Sequence, residues 1–178
     1  MDAHTIFRLW TGPWRFARTI VHAAGRNLPD RVYGRAHLRW LHKPNNLRYR
    51  ENGFFYRACN LPLAVRRQYV YRYEDDNNNV TVYFGDTIKI TGLFHTFVLT
   101  AKPTRQLAKQ VNTLLQVWHG HGEHICGMDK YETQYQFIME NDFLRMVRIV
   151  HSVKGPQKDY RATALYVRYA TMLRHRAR

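Results

Sequence analysis

Residues 118–131, WHGHGEHICGMDKY, and their counterpart near the C-terminus, residues 155–168, GPQKDYRATALYVR, decide how this chain is read. Both place histidine, cysteine, aspartate, lysine, tyrosine and arginine in segments that otherwise alternate as β-strands do. In a strand, residues i and i+2 share a face. His124 and Cys126 therefore share a side, as do Tyr131, Tyr135 and Phe137, and later Tyr160, Ala164, Tyr166 and Arg168. Polar groups held at alternate positions in this way face an enclosed interior, and that interior is where a site would lie.

The same two-fold pattern runs outward to the rest of the chain. Asp2 caps a short helix reaching Leu9 and Trp10, with Ile6, Leu9 and Trp10 on one side, and Gly12-Pro13 ends it. From Trp14 one face carries Trp14, Phe16, Arg18, Ile20 and His22. Residues 32–41 put Gly34, Ala36, Leu38 and Trp40 together, and after the turn at 43–46 the next strand aligns Leu47, Tyr49 and Glu51, with Gly53 allowing a bulge. Glu51 is the natural partner of an inward arginine. Arg67, Tyr69, Tyr71 and Tyr73 alternate next, residues 74–79 form a hairpin loop, and 80–84 pair back. Two short strands follow at 87–90 and 94–99. Pro103-Thr104 then opens a helix, with Leu107, Val111, Leu114, Leu115 and Trp118 at helical spacing. Strands resume around 121–126, 131–139, 143–153 and 160–171, and a basic tail closes the chain at 172–178.

A chain of 178 residues suits one domain, 1–178, with a core that needs no disulfide staples. Its 12 Tyr, 9 Phe and 4 Trp fit pleated, half-buried surfaces. The fold class is mainly β. About nine or ten sequential strands with short turns suit an antiparallel up-and-down barrel with a short N-terminal helix and one inserted helix. Gly12-x-Trp14 near the start and Arg168 in the last strand also resemble the Gly-x-Trp and closing arginine of lipocalin-like barrels.

Further blocks resemble one specific family, the lipocalin-like domain of unknown function 6314. They are Gly12-x-Trp14-x-Phe16-x-Arg18-x-Ile20-x-His22, Gly34-x-Ala36, Leu47-x-Tyr49-x-Glu51-x-Gly53, Arg67-x-Tyr69 and Phe94-His95. His124-x-Cys126-x-x-Asp129-x-Tyr131, Gly155-Pro156-x-Lys158-Asp159-Tyr160 and Tyr166-x-Arg168 complete the set, the last blocks being the most specific. The helical insertion at 101–117 departs from the shorter loop of the family. The resemblance implies a small β-barrel and supplies no reaction, because the family is itself functionally uncharacterised.

Charge limits the partners. With 28 basic against 13 acidic residues the formal charge is +15, a balance that favours polyanions such as RNA, anionic lipid or acidic protein surfaces. Cys59 and Cys126 make no disulfide framework, no secretory pattern is present, and no apolar run approaches the ~20 residues of a membrane span. An intracellular setting, cytoplasmic or mitochondrial, is the expectation. Asp2 and Asp30 are the only acids among the first 35 residues, a bias shared with mitochondrial presequences, but the first strand lies there, so no cleaved leader is expected.

The chemistry of the inward residues is read against plainer alternatives. His119, His121, His124 and Cys126 are all competent for zinc, yet on an unbroken strand the first two face away from the last two. They converge only if Gly120 or Gly122 makes a bulge, so no metal is assigned. Haem on His124 or His95 has nothing further to support it. Cys126 beside His124 has no orienting third group, and the inward carboxylates Glu51 and Asp129 have cations as partners, so catalysis is not expected and no cofactor is named. What remains is a ligand-binding set: Trp14, Arg18, Tyr49, Glu51, Arg67, Tyr69, His95, His124, Cys126, Asp129, Tyr131, Lys158, Tyr160, Tyr166 and Arg168. An excess of cations over carboxylates favours a small apolar ligand with an anionic or carboxylate group. The same set could serve only as an internal ion-pair network that fixes strand register. The competing function is an RNA- or protein-binding accessory of a ribonucleoprotein, such as a mitochondrial ribosome-related one. There the barrel is a scaffold and Arg66, Arg72, Arg148, Arg161, Arg174, Arg176 and Arg178 contact phosphates.

Overall fold

The computed structural model describes residues 1–23, 28–57, 61–85, 89–100, 102–108 and 113–168. In chain order these form α1 (Ala3–Leu9), β1 (Gly12–His22), β2 (Asp30–Trp40), β3 (Asn46–Tyr56), β4 (Leu63–Glu74), β5 (Asn79–Gly85) and β6 (Ile90–Leu99). They continue as β7 (Thr104–Ala108), β8 (Thr113–Cys126), β9 (Asp129–Glu140), β10 (Phe143–Lys154) and β11 (Asp159–Arg168). Every pairing is antiparallel, and strands consecutive in sequence are paired except β6 and β7. The turns explain this order: Asn45, Asn78, Asn141 and Gly127 all take the positive φ that tight hairpin connections need.

Closure happens twice. β1 zips to β11 from Trp14↔Arg168 to His22↔Tyr160, joining the first strand to the last. β6 then meets β8 through Val98↔His121 and Leu99↔Gly120, which leaves β7 outside a closed barrel of 10 strands. Gly120 and Gly122 make that approach possible. A Cβ on Gly122 would lie 2.0 Å from the Thr96 carbonyl oxygen, and one on Gly120 would lie 2.7 Å from Phe97 Cδ2. The bulge that convergence of His119, His121, His124 and Cys126 would need does not form, since β8 and β9 stay in register from Leu115↔Glu140 to Cys126↔Asp129.

The helix expected over 104–118 is corrected to strands β7 and β8, paired from Thr104↔Val117 to Ala108↔Thr113; 109–112 lie outside the described residues. The apolar spacing was misleading for a physical reason. Val117 and Trp118 are adjacent, point to opposite faces, and are both buried, Trp118 within the barrel core. Two covered faces of one strand reproduce the spacing of one helical face. Two short strands expected around Gly92 are one strand, β6, and 86–88 lie outside the described residues. No register shift occurs at Gly53. The basic tail at 172–178 and Cys59 also fall outside the described residues.

At one end α1 plugs the barrel. Asp2 accepts from the Thr5 amide at 2.8 Å, capping the helix, and Ile6, Phe7 and Trp10 are fully buried. Trp10 packs edge-on against Tyr71 and Phe137, and Phe7 stacks on Tyr73. Phe7 takes the place expected for Leu9, which is only half-buried. The other end, where β1, β3, β9 and β11 place His22, Tyr56, Asp129 and Asp159, is the mouth.

Candidate functional site

A cavity of about 260 Å³ lies beneath the mouth. Its apolar wall is Ile20, Phe55, Phe94, Val153 and Ala162; its polar groups are Arg18, Arg67, His151, Tyr131 and Tyr160, with His22, Asp30 and Arg57 at the rim. Alternation delivers most of them, while Phe94, next to the inward His95, enters at an irregularity in the β5–β6 register. β1, β3, β4, β10 and β11 each turn every second side chain inward, and near the mouth those positions mix polar, aromatic and aliphatic groups.

Its floor is an ion pair. Arg18 donates two parallel hydrogen bonds to Glu51, Nη1 to Oε1 at 2.8 Å and Nη2 to Oε2 at 2.7 Å. Tyr49 donates its hydroxyl to Glu51 Oε2, and Tyr166 accepts from Arg18 at 3.3 Å and lies 3.0 Å from the Tyr49 hydroxyl. Burial works against the Glu51 carboxylate, but the Arg18 bonds, Tyr49 and Arg67 outweigh it and hold its pKa below the usual range. Burial likewise disfavours a lone guanidinium, while Tyr166 and Glu51 hold Arg18 charged. Burial pushes the Tyr49 phenol well up, so it stays protonated and donates. Arg67 differs from Arg18. Its Nε is 3.9 Å from Glu51 Oε1, and its side chain is 44% exposed, turned to the cavity mouth.

Two neutral histidines sit beside this floor. His95 is buried, its Nε2 2.8 Å from the Tyr135 hydroxyl, and Nδ1 has no hydrogen-bond partner among the described residues. His151 lies 5.9 Å from it between ring centres, with Nδ1 2.9 Å from Thr133 Oγ1. Burial, with His124 nearby, pushes His95 down to about 3; burial, with His95, Arg18 and Arg67 nearby, pushes His151 down to about 3. Both are therefore uncharged near neutrality.

The rim holds two further pairs. Asp30, buried at the start of β2, lies 3.0 Å from His22 Nε2 and 3.6 Å from Arg57 Nε. Lys158 donates to Asp129 Oδ2 at 2.6 Å and to the Tyr131 hydroxyl at 3.0 Å. Gly155 leaves the space for this, since a Cβ there would lie 1.8 Å from Asp129 Oδ1.

The residues expected at a site divide into three groups. Arg18, Arg67, Tyr131 and Tyr160 line the cavity, with Tyr49, Glu51, His95 and Tyr166 packed behind it and Tyr69 stacked on Phe94 and Tyr49. Asp129 and Lys158 are at the rim, and His124, half-buried, lies 6.2 Å from the Tyr131 ring. Three do not belong. Cys126 is exposed at the end of β8, because the barrel interior has already opened to solvent there. Trp14 and Arg168 lie at the helix end: the guanidinium sits 4.6 Å over the Trp14 ring and donates to the carbonyls of Leu9, Thr11 (2.9 Å) and Leu144 (3.2 Å). Their work is closing the barrel.

His151, Phe55, Arg57 and Asp30 were missed, as were His22 at the rim and the apolar Ile20, Phe94, Val153 and Ala162. The signal for His151 and Phe55 was present, since parity with Ile149 and Val153, and with Glu51, sends them inward. Asp30 and Arg57 sit at strand ends, where parity says little. Among the outward arginines, Arg66 and Arg161 are exposed, and Arg72 and Arg148 half-buried; Arg174, Arg176 and Arg178 lie outside the described residues. No group of three or more metal-binding side chains occurs among the described residues, and none of their helices is long and apolar enough to cross a membrane.

Comparison with solved structures places the fold. An S-type phycobiliprotein lyase, CPES, from Guillardia theta superposes with a TM-score of 0.56 at 10% sequence identity, covering 94% of this chain and 93% of that one. At that identity the likeness concerns the lipocalin-like barrel alone. Among curated proteins no sequence matches significantly. The model of a family of unknown function (DUF6314) matches residues 10–168, the span from the end of the plug helix to the closing arginine. The chain belongs to the DUF6314 family.

Proposed function

We propose that this protein is a binding barrel, without a reaction of its own, for a small apolar ligand carrying one anionic group such as a carboxylate. The observation that carries the reading is the charge of the cavity. Arg18, Arg57 and Arg67 face it against Glu51 and Asp30, three guanidinium groups to two carboxylates, and of its two histidines His151 is neutral while His22 lies against Asp30. Arg18 and Glu51 satisfy one another, which leaves Arg67 at the mouth as the group a ligand anion would meet. Phe55, Phe94, Ile20 and Val153 would take the apolar body. The volume, about 260 Å³, is just under the ~300 Å³ at which sites for drug-sized ligands begin, so the ligand is small or enters by one end. The barrel shared with a phycobiliprotein lyase is consistent with a lumen used for binding.

The test is native mass spectrometry of protein purified from its own source, followed by thermal-shift titration with cinnamate and octanoate and with their uncharged amides. A co-purifying carboxylate, and stabilisation by the acids but not the amides that Arg67→Gln weakens about tenfold, would support the reading. No bound molecule together with no shift from any of the four compounds would end it.

A further inference from the structure

The outside of the same wall carries a different chemistry. Across β1 to β4, strand register sets outward residues in rows. Arg15, Arg35, Asn52 and Arg66 form one; Arg39 and Arg48 face each other in another, with Arg50 opposite His37 between them. Like charges directly opposite one another destabilise a sheet unless a counter-charge joins them. Among the described residues no acid joins Arg39, Arg48 or Arg50. Of the acids of β1 to β4, Asp30 and Glu51 point into the barrel and Glu74, at the end of β4, accepts from Thr81; Arg39 and Arg50 donate to neutral acceptors, His37 Nδ1 at 3.0 Å and Gln68 Oε1 at 3.3 Å.

Two further observations narrow the counter-charge. Arg35, Arg39, Arg48 and Arg50 surround a concavity of about 530 Å³, larger than the inner cavity and open to solvent. One row nearer the mouth, Tyr33 and Phe54 are cross-strand partners and Tyr56 lies beside them, each between 42% and 52% exposed. A concave arginine groove suits a chain better than the plane of a bilayer. Exposed rings beside it suit unstacked bases, which any single strand offers and a duplex does not.

We infer that the outer wall of β1 to β4 is a binding platform for single-stranded nucleic acid, with phosphates along the arginine rows and bases stacked on Tyr33 and Phe54. This platform faces away from the lumen and is independent of any ligand there. Its arginines position the strand without reading sequence, so recognition is by backbone charge and stacking.

The experiment uses the whole chain and a fluorescein-labelled oligouridylate of about twelve nucleotides, with anisotropy titrations between about 50 and 200 mM salt. Binding should weaken steeply with salt, and R39Q/R50Q should flatten the log–log slope by about 1.4, ~0.7 for each phosphate that is no longer neutralised. Y33A/F54A should keep the slope and lose at least about fivefold affinity per ring. Lys130→Gln on β9, whose lysine is engaged by Glu123 and Glu132, should change neither, and unaltered melting temperatures would show that all variants fold. The inference is overturned by no binding at the lowest salt, by an unchanged slope in R39Q/R50Q, or by phosphatidylserine vesicles or polyglutamate binding as tightly as the oligonucleotide while Y33A/F54A has no effect.

Discussion

Arg18 and Glu51, 33 residues apart in sequence and on different strands, meet inside the barrel through two parallel hydrogen bonds of 2.8 and 2.7 Å, with both side chains 5% exposed or less. β2 lies between their strands. Phe16 pairs with Gly34 and Gly34 with Gly53, so the wall draws close there and the two long side chains reach across.

That geometry predicts a non-additive response to mutation. Arg18→Met or Glu51→Gln alone leaves a buried group without its partner and should cost about 3–5 kcal/mol in urea unfolding. The double variant should recover much of the loss, because removing both charges also removes their desolvation. A double-variant cost equal to the sum of the singles would show that the pair does not act as a unit.

Stability should fall in mild acid, in a window set by histidines. His95 and His151 have folded pKa values of about 3 against an ordinary 6.5, so between these values the unfolded chain binds protons that the folded chain does not. Stability therefore drops as pH falls below about 6.5, by roughly 1.4 kcal/mol per pH unit for each ring. Glu51, held below its usual range, adds its own loss only below the ordinary carboxylate value, as pH falls through its folded pKa. Chemical denaturation at pH 7, 6 and 5 separates the two, since His151→Gln should flatten the upper part of the slope. An unflattened slope would remove His151 from the account.

Arg168 should matter to the plug and not to the cavity. It donates to carbonyls on both sides of the α1–β1 turn and to Leu144, so Arg168→Gln leaves part-buried acceptors unpaired and should destabilise the fold by about 1–3 kcal/mol. Lysine should not rescue it, because a single ammonium lacks the planar fork. Hydrogen exchange should quicken first in α1, Ala3–Leu9, while thermal shifts with cavity ligands persist at lower temperature.

Two glycines make a matched pair. Gly122→Ala would press a Cβ into the Thr96 carbonyl where β6 and β8 close the barrel and should cost about 1–3 kcal/mol or more. Gly92→Ala meets nothing within 4 Å and should stay within about 0.5 kcal/mol of the parent. Equal effects in calorimetric melting would mean that closure through β8 tolerates separation.

Alternation made the strands legible, because each is one-sided and period two assigns every residue to a face without reference to anything distant. Arg18, Glu51, Tyr49 and Tyr166 could be placed inside for that reason. The same rule failed at 104–118, where both faces of β8 are covered and period two vanishes. It also could not tell depth along the barrel. Trp14, Arg168, Tyr160 and Arg67 share an inward parity, but the first two serve the plugged end and the last two the mouth.

Outside 104–118, sequence alone determined the strand faces and the hairpin order, and it determined the family, since each depends on local pattern or on residues a few positions apart. Tertiary structure decided which inward groups share a level, that Arg18 rather than Arg67 completes Glu51, and that Cys126 opens to water. Those outcomes depend on shear and closure, which bring together residues from strands far apart in the chain, and no local spacing encodes the height at which they meet.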